Sequence, residues 1–579
     1  MLAFSRTLPE VKKRTGEAAI LGGRAHHVRA RQAMEGTQAL MEHAALVQGL
    51  RDPAAYPHHA GAIEVIETHI SSVLLAGEFA YKLKKPVNLG FVDFSTLERR
   101  RHFCEEEIRL NRRGAPSLYL DVVPITGDLA HPRIGGQPDR AIEYAVRMRR
   151  FSASARLDTL TRGGGLTRVH IDRLAQSVAA YHGQCQAAPA GSIFGSARLV
   201  LQWANDNLET LEAASLAPAE TRRVKQLRAW TESQFERCAP EIERRRSSGH
   251  VRECHGDLHL GNVVLLHGTP VPFDCIEFND ELRYIDVFND VAFAFMDLID
   301  HGLAPLAWRF LGAYLDHIGD YEGLATLRFY AVYRALVRAK IAFIRGQQPD
   351  TAAAEKTAQG AALARYVKVA QSLARPLAPQ LIITCGVTGS GKTTVSQVLL
   401  EELGAVRLRS DLERKRLQGV AASDHSGASS AVGGELYGPA VTERTYARLH
   451  ALARLVLEAG ITPIVDATFL EHAQREMFRE LASACGVRYT IVECVAPPAR
   501  LEARITQRLA GGADASDATS QVLAHQLSTR EPLSFTERTV ALQLDTDTDW
   551  ARLQSRCTSL ARKLRSVAHR QQLGQAVAS

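Results

Sequence analysis

The sequence has no Cys-x-x-Cys pair: its nine cysteines, an odd number, are scattered from Cys104 to Cys557. That pattern excludes a zinc ribbon, argues against a disulfide framework and fits a reducing compartment, the cytoplasm. No run of 18 or more apolar residues occurs, so nothing reads as a membrane-spanning helix. The opening, MLAFSRTLPEVKKRTGEAAILGG, lacks a continuous apolar stretch followed by a small-residue cleavage site, which speaks against secretion. It contains arginine but also Glu10, Glu17 and Glu35, so residues 1–35 fit a disordered basic tail better than an organelle presequence. No internal repeat with a period of about 20 to 50 residues is found.

Charge of one sign is scarce too. The formal net charge is +7, and the first 35 residues, with seven Lys or Arg against three Glu, supply +4 of it. The remaining +3 is a weak footprint for a nucleic-acid partner. What is present is ordinary globular composition, 46% hydrophobic and 23% charged, in a chain of 579 residues. That length exceeds what one hydrophobic core serves, so more than one domain is expected.

From His69, HISSVLLAGEFAYKLKKPV predicts two strands around Ala76-Gly77-Glu78, and Ser95 to Arg113 predicts a helix. Ala141 to Phe151 reads as a strand, and residues 167 to 245 as helices. A tight hairpin is expected at His267-Gly268-Thr269-Pro270, with helices again from Asp286 to Ala374. Two prolines in ARPLAPQ mark a boundary. Beyond it LIITCG, VRLRSD, ITPIVDA and RYTIVECVA alternate with helical segments, the pattern of a parallel, helix-covered sheet. Only Ala422 to Gly434 is low in complexity. The expected division is therefore a tail (1–35), an N-terminal domain (36–375), a linker (376–380) and a C-terminal domain (381–579).

Gly386-Val387-Thr388-Gly389-Ser390-Gly391-Lys392-Thr393, followed by Thr394, matches the P-loop pattern in full between a strand and a helix. Backbone N–H groups of such a loop surround phosphate oxygens, Lys392 reaches the outer phosphates, and Thr393 can hold magnesium. Asp466, at the end of PIVDA, suits a second magnesium contact, and Asp411, in RSDLER, could accept a proton from a substrate hydroxyl; either could instead cap the helix that follows. Arg500, Arg504 and Arg508 recur every four residues on one helix face, which is also how a solvated basic face looks. This segment resembles the polynucleotide-kinase, zeta-toxin and gluconate-kinase type of P-loop kinase, with the arginine helix matching their lid. The resemblance implies ATP-dependent phosphoryl transfer to a hydroxyl and leaves the acceptor open.

In HGDLHLGN, Asp257 and Asn262 lie five apart, and Asp274 follows at the end of a hairpin strand. Kinase catalytic loops share this spacing: Asp257 would orient or deprotonate the acceptor, and Asn262 and Asp274 would hold magnesium. With Phe273-Asp274-Cys275 in the last motif, the segment resembles the aminoglycoside phosphotransferase and choline kinase superfamily. That likeness implies a two-lobed, protein-kinase-like fold. It also implies a strand lysine, Lys82 or Lys84 with Lys82 preferred, a helix partner expected at Glu106, and a hinge around Met148 beside the adenine. Asp286 and Asp290 are expected to brace the loop. No GxGxxG precedes Lys84. His255 and His259 are four apart, but glycine at 256 excludes the helical zinc motif. The tandem order resembles a bacterial family of fusions between these two domains.

The expected class is thus mixed α/β and α+β: a kinase-like domain followed by a P-loop sheet with helices on both faces. The expected activity is an ATP- and Mg2+-dependent phosphotransferase with two nucleotide sites and a small-molecule hydroxyl acceptor. A nucleotide-gated regulator, or a nucleic-acid end kinase that the modest charge disfavours, is the alternative.

Overall fold

The computed structural model describes residues 36–90, 92–348, 351–419, 438–511 and 519–578. The expected tail and the low-complexity segment lie outside them. The chain forms two compact units, one running to Phe151 and including Glu277–Asn279, the other made of Ser152–Ile276 and the chain from Asp280 onward.

The first unit contains helix α1 (36–49), strands β1 (Glu64–Glu67), β2 (Ser71–Ala76) and β3 (Phe79–Lys84), helix α2 (Leu97–Asn111), and strands β4 (Tyr119–Gly127), β5 (Pro132–Ile134) and β6 (Glu143–Arg149). They form an antiparallel sheet in the order β1-β2-β3-β6-β4-β5. The β2–β3 turn is made by Gly77 at φ +59, where an added Cβ would meet the His59 carbonyl at 2.5 Å. Leu74, Ala76, Tyr81, Leu83 and Ala145 form its buried core.

The second unit begins with α3 (Leu157–Arg162), α4 (Arg168–Gln184), α5 (Ala197–Ala213), α6 (Pro218–Ser247), β7 (Val251–Glu253), β8 (Val263–Leu266), β9 (Thr269–Pro272), α7 (Asp280–Arg283) and β10 (Tyr284–Asp286). The helices α8 (Val287–Asp300), α9 (Ala304–Ile318), α10 (Leu324–Gly346) and α11 (Ala353–Ala374) follow. The β8–β9 hairpin turns where expected, with His267 and Gly268 both at positive φ, as a two-residue hairpin loop requires.

Next come β11 (Gln380–Cys385), α12 (Lys392–Leu403), β12 (Ala405–Arg409), α13 (Ser410–Leu417), α14 (Pro439–Glu458), β13 (Thr462–Asp466), α15 (His472–Ala484) and β14 (Arg488–Val495). The chain ends with α16 (Pro498–Gly511), α17 (Ser520–Thr529), α18 (Phe535–Val540), β15 (Ala541–Asp545) and α19 (Trp550–Ala578). The sheet order is β12-β13-β11-β14-β15, with every pair parallel.

Strand alternation divides this sheet's side chains between two cores. Ile382, Ile464 and Val492 pack with α12 and α19 residues such as Leu399 and Leu564. Leu381, Ile383 and Val406 pack with Leu449 of α14 and Phe478 of α15, and this core is continuous with Phe288, Phe310 and Tyr330 of the helical lobe. The 376–380 segment therefore joins α11 to β11 inside one compact unit. The two units part at Phe151–Ser152. No helix among the described residues is long and apolar enough to cross a membrane.

Candidate active sites

In the first unit β3 alternates, so Lys82 and Lys84 share a face. Both ammonium groups reach one carboxylate: Lys82 Nζ lies 2.8 Å from Glu107 Oε1, and Lys84 Nζ lies 2.8 Å from Glu107 Oε2. The helix partner is thus Glu107 and not Glu106. The buried residues of α2 are Cys104, Glu107, Ile108, Leu110 and Asn111, with Glu107 near the centre of that face, and position 106 lies at its edge and pairs with Arg109. Lys84 also pairs with Glu277 and sits 4.9 Å from the centre of the Phe94 ring.

Burial acts against both charged forms, yet the two lysines hold the Glu107 carboxyl down to about 2. The Lys84 ammonium is held above its ordinary range by Glu107 and Glu277 in spite of burial. Lys84 is fully enclosed, whereas the Lys82 side chain keeps 12% of its surface exposed. Met148 is buried near the end of β6, opposite Ala80 and Tyr119, just before the chain leaves this unit.

In the second unit the loop after β7 is held by carboxylates from α8. Asp290 accepts the backbone N–H groups of His255 (2.7 Å) and Gly256 (2.9 Å), and Asp297 accepts that of Leu260 (2.9 Å). Charge-assisted bonds of this kind contribute about 1.5–3 kcal/mol each. Asp286 has a different task from the bracing expected of it: it takes a two-pronged ion pair from buried Arg245, which also binds Asp320, and it caps α8. His255 does brace the loop, with Nε2 2.9 Å from the Phe273 carbonyl.

Asn262 Nδ2 donates to Asp257 Oδ2 at 3.0 Å, fixing the five-residue pair the motif implies. Burial alone would push the Asp257 carboxyl up, but His259, Arg338 and His255 outweigh it and hold it below the ordinary carboxylate range. Asp274 follows at φ +63, a left-handed conformation that Asp tolerates better than most residues.

At the end of β11 the P-loop turns into α12. Gly386 stands at φ +142, and a Cβ there would meet the Cys494 carbonyl at 2.6 Å; at Gly389, φ +79, it would meet that of Leu501 at 2.9 Å. A cavity of about 930 Å3 opens over Thr388, Gly389, Gly391, Lys392, Thr393 and Thr394. Gly386 shapes the loop from behind, and Ser390 is buried with a hydroxyl that has no hydrogen-bond partner among the described residues. Lys392 Nζ donates to the Val387 carbonyl at 2.9 Å.

Asp411 and Asp466 both line this cavity. Asp466 accepts from Ser396 Oγ at 2.9 Å, one turn after Thr393. Asp411 takes two bonds from Arg409, 2.7 and 3.1 Å, and although burial opposes it this guanidinium holds the carboxyl down to about 2.

The arginine helix is only partly at the site. Arg504 lines the cavity and donates to the Gly389 carbonyl at 3.1 Å, whereas Arg500 pairs with Asp547 at the surface. The side chain of Arg508 lies outside the described residues.

Sequence reasoning missed Asp297, Arg338, Gln526 and Thr546, none of which carries a motif; for Glu107 the one available signal was its helical phase with Cys104, Ile108 and Asn111. It also missed the lock on Ser390, whose carbonyl accepts from buried Thr546 Oγ1 at 2.9 Å.

Two family models match separate stretches of the chain. The model of the phosphotransferase enzyme family matches residues 139–330, and that of an AAA domain matches residues 381–533. The uncharacterized protein Rv2004c of Mycobacterium tuberculosis is 30% identical over 462 residues, 80% of this chain and 89% of its own. An alignment of that length in a chain of 579 residues runs through both matched regions.

Among solved structures, a choline/ethanolamine kinase family protein from Mesorhizobium loti aligns at 12% identity, covering 56% of this chain and 99% of its own, with a TM-score of 0.35. A gluconokinase from Sinorhizobium meliloti aligns at 19% identity, 34% of this chain and 99% of its own, with a TM-score of 0.25. The chain belongs to the same family as the mycobacterial protein, and it is a phosphotransferase of the kinase type in which a phosphotransferase-family domain precedes a P-loop AAA domain.

Proposed function

We propose that the protein uses ATP at two separate sites, each transferring a γ-phosphoryl group to the hydroxyl of a small molecule. The observation that carries this reading is the P-loop cavity, where the phosphate-binding loop and the ionised Asp411 carboxylate line the same space. In the P-loop domain the loop amides and Lys392 would take the phosphates, and Asp411 would receive the acceptor hydroxyl. In the second unit Asp257, held ionised by its neighbours, would orient an acceptor hydroxyl; in the first unit Lys82, paired with Glu107, would be the phosphate-binding lysine that the family resemblance implies. An orphaned hydroxyl on Ser390 and glycines whose Cβ atoms would strike backbone support a cradle shaped for an anion.

The oxygen donors at each site fit magnesium: Asn262 and Asp274 in one, Thr393 and Asp466 in the other. Magnesium, when bound, neutralises charge on the transferring phosphate. The nine cysteines, scattered without a Cys-x-x-Cys pair, support a reducing cytoplasm as the place of work.

A metabolite-wide phosphorylation screen with radiolabelled ATP tests the proposal, using the wild type, Asp257→Ala and Lys392→Ala in parallel. Each variant is expected to lose one set of products and keep the other. Loss of no product in either variant would refute both catalytic assignments.

A further inference from the structure

Three consecutive residues of the P-loop are held by side chains from later elements, with different polarity. Gly389 and Ser390 are held through their carbonyls, by Arg504 at 3.1 Å and by Thr546 Oγ1 at 2.9 Å. Arg504 is itself fixed to Thr546, at 3.0 Å from its hydroxyl and 2.6 Å from its carbonyl. A phosphate has no use for a carbonyl, so these bonds shape the loop without competing for its ligand.

Thr388 is held in the opposite sense. Its backbone N–H donates to Gln526 Oε1 at 2.7 Å, and both residues line the cavity. Gln526 is half-buried on α17, whose Val522 and Leu523 anchor the helix while His525, Gln526 and Thr529 face the cavity. An uncharged amide oxygen therefore occupies a loop N–H of the kind that receives phosphate oxygens.

We propose that Gln526 is an internal stand-in for a phosphate oxygen, and that nucleotide enters the P-loop by displacing its side chain from the Thr388 N–H. The inference rests on the reading of this loop as a nucleotide site. The exchange runs in the required direction, because a charged phosphate oxygen makes a hydrogen bond roughly twice as strong as a neutral amide oxygen does. Displacement frees the side chain that ties α17 to the loop, so occupancy of the loop and the position of this helix are linked. Gln526 is a positioning residue and takes no part in the chemistry.

The test is calorimetric titration of the full chain with MgATP, following the binding event that Lys392→Ala removes. Gln526→Met keeps length and volume but deletes the acceptor; it is expected to tighten that event by about 2- to 10-fold, the range set by the net value of one neutral hydrogen bond. Gln526→Glu places a charged oxygen on the same N–H and is expected to weaken it by about 10-fold or more. Melting temperature without nucleotide checks that both variants fold, and the opposed signs separate competition from a structural role.

Weaker binding by Gln526→Met would show that Gln526 is a nucleotide contact. Unchanged binding in both variants would show that it does not compete. Either result overturns the inference while leaving the nucleotide site intact. A wild-type chain with no Lys392-dependent binding would overturn the nucleotide reading itself.

Discussion

Glu107 holds two lysines with one carboxylate inside the first unit, and its removal leaves both ammonium groups short of a buried partner. Breaking a buried ion pair from one side costs about 3–5 kcal/mol. Glu107→Gln is therefore expected to destabilise the first unit by that order in urea unfolding, whereas Glu106→Gln, at a surface pair with Arg109, is expected to change stability by less than about 1 kcal/mol.

At the catalytic loop two aspartates are expected to fail differently. Asp257→Asn keeps shape but loses the ionised carboxylate, so turnover in the kinase-like domain should fall by roughly 10²- to 10⁴-fold with ATP affinity little altered. Asp274→Asn removes a charged magnesium ligand and should weaken MgATP binding as well. Steady-state kinetics with calorimetry distinguishes them, and equal effects on affinity would contradict these two roles. The Asp-Asn-Asp spacing and the P-loop were legible in the sequence because backbone geometry fixes them locally. The choice of Glu107 over Glu106 depended on which face of α2 meets the sheet, a phase that three adjacent glutamates obscure.

Among elements, α18 is fastened to α15 by Glu537, which pairs with buried Arg475 at 2.6 Å and accepts the Ser534 N–H at 2.7 Å. Burial would raise its carboxyl, but Arg475 and Ser534 outweigh that and hold it at about 2. A carboxyl depressed in the folded state adds stability that is fully present above its unfolded value, about 4.3, and is lost as pH falls toward the folded value. The difference in melting temperature between the wild type and Glu537→Gln should thus be largest at neutral pH and shrink between about pH 5 and 2. A difference that grew on acidification would contradict the pairing.

The long amphipathic helices and the four apolar strands of the parallel sheet could be read from periodicity. The short strand β15 could not, because ALQLD is half exposed at the sheet edge and its pairing with β14 is set by tertiary contact. The clamp of Arg504, Gln526 and Thr546 was illegible for the same reason: each residue lies more than 100 positions from its loop partner.

At the scale of the whole molecule, the P-loop domain and the helical lobe of the kinase-like domain share one compact unit. Arg309 of α9 binds Asp172 of α4 and Glu401 of α12, both at 2.6 Å. Arg407 of β12 reaches Asp316 of α9 at 2.9 Å and the Thr393 carbonyl at 3.4 Å, a direct chain from the P-loop to the helical lobe. Trp308 packs against the cores on both sides. A chain ending at Pro379 removes Glu401 from Arg309, Arg407 from Asp316 and the P-loop-side core from Trp308, and the helical lobe is expected to melt several degrees lower in differential scanning calorimetry. An unchanged transition would show that the docking carries no stability.

The central claim is two nucleotide sites in one chain, and it is tested most directly by the stoichiometry of MgATP binding to the full-length protein. Calorimetry is expected to give two equivalents per chain for the wild type and one each for Lys392→Ala and Asp274→Ala, with opposite sites remaining. One equivalent in the wild type, or the loss of both in either variant, would contradict it.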